Sequence, residues 1–426
     1  MSSKPITELI HNASCLDDYD PNSMPVAQAR RVIRDYLSPV TGTESLALRA
    51  ALGRVLAANI LSPHNVPNHD NSAMDGYAFN ADDLQAESVT RLHIAGTAFA
   101  GTPYTGKLAP GQCVRIMTGA MLPAGSDTVV VQERVQIEGD HIAFQQNLER
   151  GMNTRLAGED LKQGQVVLAT GHLLRPADLG VLASLGLGEV RVWRKLRVAF
   201  FSTGDELASI GQPLASGQVY DSNRYTLYGM LTRLGVEVID MGVVPDDPAL
   251  LEQALLDASA CADVILTSGG VSVGEADHIK ALLAKLGQVV FWKIAMKPGR
   301  PLAYGKVGQA HYFGLPGNPV AVMVTFYQFV REAMLVLMGQ ADPAPLPLLQ
   351  AVCIDPIRKL KGRTEFQRGI LFTDQDGSWK VRTTGGQGSG MLSSMSLANC
   401  FIVLSEETGD LPALQTVQVQ LLEGLI

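Results

Sequence analysis

The sequence predicts a multidomain α/β and β fold: a central parallel-sheet α/β domain with an inserted β domain, a discontinuous N-terminal domain and a C-terminal β domain. From residue 196 to about residue 337, apolar strand-like runs alternate with helical patterns, which is typical of a parallel sheet covered by helices on both faces. Between about residues 63 and 160, short apolar runs are separated by turns that contain proline and glycine, a rhythm that favours β structure. After the proline-rich segment 343–347, the β pattern returns and continues to the end of the chain.

Composition and charge narrow the class of protein. Of the 426 residues, 46% are hydrophobic and 18% are charged, which is typical of a globular protein of about two to four domains. The formal net charge of −8 argues against a broad basic face that would bind nucleic acid. The five cysteines are scattered and form no C-x-x-C pair, which argues against a disulfide framework and favours a reducing compartment. No segment resembles a signal peptide or reaches about 18 uninterrupted apolar residues, so we expect a cytoplasmic protein without a membrane span.

The sequence patterns divide the chain into five parts. These parts are a flexible tail (1–22), a discontinuous N-terminal domain (23–62 with 161–194), an inserted β domain (63–160), the α/β domain (195–342) and the C-terminal β domain (346–426). The polar, irregular start of the chain indicates the tail. Apolar residues at helical spacing predict helices over residues 25–37, 46–56 and 176–185.

Within the α/β domain, strands and helices are expected to alternate. We predict strands at residues 198–201, 236–239, 264–266, 289–294 and 301–304, and helices at residues 222–234, 250–258, 277–286 and from 319 to about 337. Gly235 is expected to end the first of these helices, because glycine readily adopts the left-handed conformation. Ligands of such sheets bind beyond the carboxyl ends of the strands, so the loops that follow the strands are expected along one functional edge.

The most informative of these loops, residues 267–277, joins a strand to a helix and contains three glycines. Gly269, Gly270 and Gly274 lie between the predicted strand and the predicted helix. Glycine lets the backbone turn tightly and approach a ligand, and its free N–H groups can meet anionic oxygens, so the loop predicts a phosphate cradle. It is neither a Walker loop nor a G-x-G-x-x-G dinucleotide motif. The alternative is a loop that only connects its two neighbours.

Carboxylates follow the same strands and predict a cation site on the same edge. They are Asp205, Glu206, Asp246, Asp247, Glu275 and Asp277. Carboxylate oxygens of this kind suit Mg²⁺, which also keeps waters and substrate phosphates as ligands. Any one acidic residue is more often a solvated charge or a helix N-cap, and Asp277 is placed to cap its helix. Both interpretations therefore stay open for each residue.

Lys293, Lys297 and Arg300 form a compact basic turn between two extended segments. Pro298 and Pro301 stiffen the turn, and a rigid pair of cations is a reasonable clamp for an oxyanion. The alternative is an exposed hairpin with solubilising charges. Residues 70–78 form a loop rich in Asp and Asn, to which their chemistry alone assigns no role.

Motifs along nearly the whole chain from about residue 25 resemble those of the molybdopterin molybdenumtransferases, a family related to the E domain of gephyrin. They are the segments 70–78, 115–120, 157–160, 201–207, 267–277, 297–301, 314–319, 366–369 and 388–389. The resemblance implies a molybdopterin-binding fold for the α/β domain and a β-barrel-like C-terminal domain. It also implies a homodimer, in which the inserted β domain of one subunit completes the active site of the other. The implied reaction inserts molybdenum into adenylated molybdopterin, consumes molybdate and releases AMP, as the last step of molybdenum cofactor biosynthesis.

The resemblance also implies roles for individual residues. Those implied in catalysis are Asp75, Thr118, Glu206, Asp246, Asp277, Lys297 and Arg368. Those implied as Mg²⁺ ligands are Glu206, Asp246 and Asp277. Those implied in binding molybdopterin or molybdate are Gly269, Gly270, Ser272, Lys293, Lys297, Arg300, Pro316, Pro319, Arg368 and Ser389. The implied partners are molybdopterin adenylyltransferase and proteins that mature molybdoenzymes.

Two departures from the family pattern bear on molybdate binding. Arg300 stands where the family usually has a second lysine, and Ala321 stands where it commonly has a serine. Two alternative functions stay open. One is a molybdopterin adenylyltransferase, which resembles the α/β domain only and whose glycine loop usually reads Gly-Gly-Thr-Gly. The other is a non-catalytic cofactor carrier or scaffold.

Overall fold

The computed structural model describes residues 23–85, 88–145, 148–270 and 276–422, apart from the side chains of residues 276–280 and 291. The predicted tail (1–22) and the residues Ser272 and Glu275 lie outside the described residues, as does the side chain of Asp277. The chain forms two compact units, one of Met1–Glu44 with Val192–Ile426 and the other of Ser45–Arg191. This division is coarser than the five predicted parts, whose boundaries stay predictions.

A six-stranded sheet forms the centre of the first unit. In spatial order, its strands are Glu237–Val244, Arg197–Thr203, Val264–Ser268, Ala310–Leu315, Pro301–Val307 and Gly287–Lys293. The first four are parallel, which confirms the predicted parallel core. Pro301–Val307 is antiparallel to both of its neighbours, because the chain reverses at Gly308 (φ +58°) into the strand Ala310–Leu315, which was not predicted. Gly287–Lys293 therefore runs in the same direction as the parallel strands and delivers Lys293 to their carboxyl edge.

Helices cover both faces of this sheet. In chain order they are Val26–Asp35, Ser222–Leu234, Pro248–Cys261, Ala276–Leu286, Pro319–Thr325 and Arg331–Leu337, the last two joined by the π-helical turn Phe326–Val330. Alternate residues of one central strand enter different cores, since Val198 and Phe200 belong to the larger apolar cluster and Ala199 and Phe201 to the smaller. Gly235 has a φ of +76° and ends its helix as predicted.

The helical segment Pro319–Leu337 is long and apolar enough to cross a membrane by length and composition. Within the structure, 67% of its most apolar window is buried. Phe326, Phe329 and Val330 belong to the larger apolar cluster of the α/β part. A helix that is buried on most sides in a protein core has the same composition.

The C-terminal part of the first unit is a closed five-stranded barrel, as the family resemblance implied. In spatial order its strands are Thr364–Thr373, Trp379–Thr383, Leu348–Cys353, Gln415–Leu421 and Cys400–Leu404, and the short helix Leu392–Leu397 precedes the last of these in sequence. The barrel closes because Thr364–Thr373 pairs with both Trp379–Thr383 and Cys400–Leu404. The short strand Met296–Lys297 pairs in parallel with the start of the strand Thr364–Thr373, opposite Thr364 and Glu365. This pairing fixes the basic turn against the barrel.

The second unit is built around a six-stranded β-sheet, as predicted for the inserted domain. In spatial order its strands are Thr128–Val131, Gly76–Phe79, Gln112–Ile116, Thr90–Ala98, His141–Phe144 and Gln136–Glu138. Side chains alternate between two small apolar cores, since Tyr77 and Phe79 enter one and Ala78 the other. The unit also contains two pairs of short strands: Ile60–Leu61 with Val166–Leu168, and Asn71–Ser72 with Thr154–Arg155.

The helix predicted over residues 46–56 is wrong. The chain there forms the end of the strand Thr43–Ala47, a 3₁₀ turn at Leu48–Ala50 and irregular backbone. The N–H groups of Leu48, Gly53 and Leu56 donate to carbonyls of residues 188, 174 and 172, which are distant in sequence. These pairings satisfy the backbone in place of a helical ladder, whereas the helix predicted at 176–185 is confirmed as Pro176–Ser184.

We predict that Phe329→Ala lowers the free energy of unfolding by about 3–5 kcal/mol, because the substitution leaves a cavity in the larger core. The Phe329 side chain is 1% exposed. Leu250→Ala is the control, since Leu250 is 51% exposed and its loss is expected to change the free energy by less than about 0.5 kcal/mol. Chemical denaturation measures both. Equal effects of the two substitutions would contradict a core role for the long helix.

Candidate active site

A cavity of about 790 Å³ lies at the carboxyl edge of the central sheet. Six of the predicted site residues line it together: Glu206, Lys297, Arg300, Pro316, Pro319 and Ser389. The barrel contributes Arg363 and the loop 387–390, and the helix Ser222–Leu234 contributes its first turn. Sites for small organic ligands commonly occupy about 300–1,000 Å³. The predicted edge is therefore a concave site of suitable size.

Two cationic side chains of the basic turn have buried N–H donors without a hydrogen-bond acceptor among the described residues. The Lys293 ammonium and the Arg300 Nε are both buried, and neither has a hydrogen-bond partner among the described residues. Gly299 (φ +93°) lies so close to the helix below that a Cβ there would come within 2.5 Å of Thr325 Oγ1. Because an unsatisfied buried donor costs about 1–3 kcal/mol, such groups usually have a partner. Of the two residues, Arg300 lines the cavity, so its guanidinium is the one that an anion in the cavity could reach.

Lys297 differs from its two neighbours because it has a carboxylate nearby. Its side chain is half-exposed, and its Nζ lies 3.5 Å from Glu365 Oε1. Glu365 is itself buried and accepts a hydrogen bond from Gln367 Nε2 at 3.0 Å. The charge of Lys297 is thus partly compensated, whereas its ammonium stays accessible from the cavity.

Arg368 lies behind the cavity wall instead of on it. Its guanidinium is buried, donates from Nε to Ser394 Oγ at 3.0 Å, and donates from Nη2 to the Gly388 carbonyl at 3.0 Å. Its backbone exchanges hydrogen bonds with the side chain of Gln387. Burial lowers the pKa of Arg368 to about 10. The structure places Arg368 as a brace for the loop that carries Ser389, and its predicted contact with molybdate stays a prediction.

Two of the predicted Mg²⁺ ligands lie in neighbouring loops on the same edge. Glu206 follows the strand Arg197–Thr203, and Asp246 follows Glu237–Val244, which pairs with it in parallel. Asp246 accepts a hydrogen bond from Thr203 Oγ1 through its carboxylate, and its N–H donates to Asp205 Oδ1 at 3.2 Å. Their oxygens match the ligand preference of Mg²⁺. Asp247 instead caps a helix, because its carboxylate accepts the N–H groups of residues 249 and 250.

A complete metal centre is not defined by the described residues. Within the described ranges, no group of three or more His, Cys, Asp or Glu side chains is placed to hold a metal ion. The third predicted ligand, Asp277, begins the helix that follows the glycine loop, but its side chain is outside the described part. The trio of Glu206, Asp246 and Asp277 stays a prediction.

The start of the glycine loop requires glycine for steric reasons. Gly269 has a φ of +97°, and a Cβ there would lie 2.5 Å from the Thr203 carbonyl oxygen. Its N–H donates to the Leu315 carbonyl at 3.2 Å, and Gly270 also has a positive φ of +69°. The loop therefore begins pressed between two neighbouring strands, which only glycine permits.

Asn223, which was not among the predicted site residues, connects two walls of the cavity. Its Nδ2 donates to Ser268 Oγ at 2.8 Å and to the Gly317 carbonyl at 2.7 Å. One side chain thus ties the start of the glycine loop to the turn that carries Pro316 and Pro319. Asn223 lies in the first turn of its helix, two residues after the capping Asp221, and its burial is visible only in the structure.

Arg363 and Gln387 are two further lining residues that were not predicted. Arg363 adds a third cation to the cavity wall beside Lys297 and Arg300. Its signal is the basic segment 358–363 that leads into a barrel strand. Ser389 holds its loop against the long helix, because its carbonyl accepts the Val320 N–H at 3.0 Å.

Asp75 and Thr118 lie in the second unit and contact each other. Asp75 Oδ1 accepts hydrogen bonds from the backbone N–H and from the hydroxyl of Thr118, both at 2.7 Å. These two bonds hold the pKa of Asp75 below its usual value. Their loops are paired by backbone bonds between Ser72 and residues 119 and 120. The two predicted residues thus form one hydrogen-bonded pair on this unit, in which Asp75 supplies a carboxylate.

Three family models together match most of the chain. The "MoeA N-terminal region (domain I and II)" matches residues 24–186, the "Probable molybdopterin binding domain" matches residues 199–335, and the "MoeA C-terminal region (domain IV)" matches residues 350–422. The matches extend on both sides of the α/β part, as the predicted family requires. The alternative of a molybdopterin adenylyltransferase, which resembles the α/β part only, does not account for the matches outside that part.

Named relatives agree with the family models. A molybdopterin molybdenumtransferase of Haemophilus influenzae is 48% identical over 92% of this chain and 97% of its own length. A gephyrin of Dictyostelium discoideum is 32% identical over 92% of this chain and 61% of its own length. The crystal structure of the molybdopterin biosynthesis moeA protein from Pyrococcus horikoshii OT3 is 30% identical, covers 94% of this chain and 100% of that chain, and has a TM-score of 0.81.

We predict that Arg368→Met accelerates hydrogen exchange of the amides in the loop 386–390. It should also lower the free energy of unfolding by about 1–3 kcal/mol, because Ser394 and the Gly388 carbonyl lose their buried donor. Arg382→Met, at an exposed position on a neighbouring strand, is the control and should change neither quantity. If the loop exchanges as in the unchanged protein while molybdate binding is lost, Arg368 is a ligand contact and not a brace.

Proposed function

This chain belongs to the molybdopterin molybdenumtransferase family, and from that premise we propose that it inserts molybdenum into adenylated molybdopterin with molybdate as the metal source and AMP as the released product. The reaction would be the last step of molybdenum cofactor biosynthesis. The observation that carries the proposal is the pair of buried donors on the basic turn, Lys293 Nζ and Arg300 Nε, beside a cavity lined with further cations.

The cavity chemistry supports anionic substrates. Molybdate is a tetrahedral dianion, and adenylated molybdopterin carries two linked phosphates. Lys297, Arg300 and Arg363 line the cavity, and the buried Lys293 lies at the base of the same turn. Because the whole chain carries a net charge of −8, this local concentration of positive charge is what would attract the substrates.

The proposed reaction has two chemical steps. In the first, a water oxygen attacks one phosphorus of the anhydride, the bridging P–O bond breaks, and AMP leaves while the water gives up its proton. In the second, the two dithiolene sulfurs form two bonds to molybdenum, one Mo–O bond breaks, and that oxygen leaves as water with the two protons of the thiol groups. The basic turn would hold molybdate in place for the second step and offset its negative charge.

We propose that a divalent cation binds on the acidic side of the site. Glu206 and Asp246 would hold Mg²⁺ together with Asp277, and the bound ion would offset the charge that develops on the phosphates. Thr203 donates to Asp246 and so orients one of these carboxylates before any ligand arrives. Gly269 and Gly270 would bring their backbone close to the phosphate and pterin end.

One difference from the family pattern is expected to weaken molybdate binding. Ala321 lines the cavity where the family commonly has a serine, so one hydroxyl is missing from the wall. The loss of one hydrogen bond corresponds to about 0.5–1.5 kcal/mol of binding free energy. Arg300 keeps the positive charge of the usual lysine, but its planar fork binds an oxyanion with a different geometry.

We further propose a cytoplasmic homodimer with shared active sites. In this arrangement Asp75 and Thr118 of one subunit complete the cavity of the other, which gives a role to a hydrogen-bonded acidic point on an otherwise separate unit. A molybdopterin adenylyltransferase would supply the adenylated substrate, and proteins that mature molybdoenzymes would accept the product.

We predict that the purified protein releases AMP from adenylated molybdopterin in the presence of Mg²⁺ and molybdate, and that active cofactor forms. Glu206→Gln should lower the rate of AMP release at least about tenfold, because it removes one carboxylate ligand. Asp247→Asn is the control, since asparagine caps a helix as well as aspartate does. Chromatography of the nucleotide measures the rate. Absence of AMP release from the unchanged protein would refute the proposed function.

We predict that two inactive variants restore activity when they share a dimer. Asp75→Asn and Glu206→Gln, co-expressed, would form mixed dimers in which one site receives intact residues from both subunits. With random pairing, about a quarter of the normal AMP release is expected. If each site belonged to one subunit, the mixture would stay inactive. A monomer in sedimentation experiments would also contradict the arrangement.

A further inference from the structure

The short segment of residues 23–24 runs beside the basic turn as a strap. The Met24 N–H donates to the Lys293 carbonyl at 2.9 Å, and the Met24 carbonyl accepts the Ala295 N–H at 2.9 Å. These two bonds flank Ile294, with which Met24 forms a parallel bridge. The strap therefore fixes the backbone directly after the cation Lys293.

The strap brings a hydroxyl to a second cation of the turn. Arg300 Nη2 donates to Ser23 Oγ at 3.4 Å. Arg300 also lines the cavity, and its buried Nε has no hydrogen-bond partner among the described residues. Because the guanidinium is a planar, rigid fork, a partner for one N–H restrains the direction of all the others. Ser23 thus limits where the donors of Arg300 can point.

The strap cannot shift independently of the protein core. The helix Val26–Asp35 begins two residues later and buries Val26, Ala29 and Ile33. Arg30 Nε on this helix donates to the Gln328 carbonyl at 2.7 Å, within the π-helical turn of the long core helix. The position of Ser23 is therefore set by the core and by the edge of the basic turn together.

We propose that Ser23 is a positioning residue for the oxyanion site, which orients the Arg300 guanidinium toward a tetrahedral oxyanion in the cavity. This inference rests on the proposed function, because it takes molybdate as the oxyanion. Ser23 contacts Arg300 and is not among the residues that line the cavity, so it would act through the arginine. Its removal should weaken anion binding while the chemical step and the fold stay intact.

The test is a double-mutant cycle read out by titration calorimetry with molybdate alone. Ser23→Ala should weaken molybdate binding about two- to tenfold, which corresponds to the loss of one hydrogen bond. In an Arg300→Lys background the same substitution should have no further effect, because the fork that Ser23 orients is absent. Ser23→Thr keeps a hydroxyl and should bind molybdate like the unchanged protein.

Two further measurements separate positioning from a merely structural role. Ser23→Ala should raise the KM for molybdate and leave kcat unchanged, because only substrate binding depends on the orientation of Arg300. Its thermal unfolding midpoint should match that of Ser23→Thr. The inference is overturned if Ser23→Ala binds molybdate as tightly as the unchanged protein, or if it weakens binding equally in the Arg300→Lys background. If the unchanged protein neither binds molybdate nor releases AMP, the proposed function itself fails.

Discussion

The burial of two cationic N–H donors that have no acceptor in the described part of the protein is the constraint on which the site depends. Lys293 Nζ and Arg300 Nε are enclosed and have no acceptor among the described residues, a state that opposes folding by about 1–3 kcal/mol per group. The surrounding structure holds the turn in spite of this: its flanking strands pair as a hairpin, Met24 bonds to its backbone, and Gly299 packs on Thr325. In the proposed function, an anion bound beside the turn would offset part of this cost, so the folded shape of the turn would contribute to anion binding together with its positive charge.

Arg368 shows how a cation can serve such a site without lining it. Its donors are directed to Ser394 and to carbonyls of the loop 386–388, and burial lowers its pKa to about 10, which leaves it charged near neutrality. The charge lies behind the loop that presents Ser389 to the cavity. It can still contribute long-range attraction, because the interior screens charge less than water does. A match to a family motif indicates that such a residue is important. It does not distinguish a residue that contacts the ligand from one that supports a neighbouring loop.

The sequence predicted the site wherever a local pattern determines position. Strand–loop–helix alternation placed Glu206 and Asp246 on one edge, and the structure brings them there because the parallel strands before them share a carboxyl end. The pattern failed where hydrogen bonds connect distant segments. Residues 46–56 have helical spacing, yet their backbone pairs with residues 172–188. Asn223 reads as an ordinary polar residue on a helix, and only the fold shows that its amide joins Ser268 to Gly317. Side-chain bridges of this kind leave no periodic signal in a sequence.

Thr203 couples the acidic loop at Asp246 to the start of the glycine loop through two different groups. Its hydroxyl donates to the Asp246 carboxylate, while its carbonyl oxygen occupies the space that a side chain on Gly269 would need. A displacement of this strand end would therefore move a proposed metal ligand and the start of the glycine loop together. On the opposite wall, Asn223 ties that loop to the turn at Gly317. Because these contacts are made within the protein itself, the cavity walls are held in register before substrate binds, which lowers the ordering cost of binding.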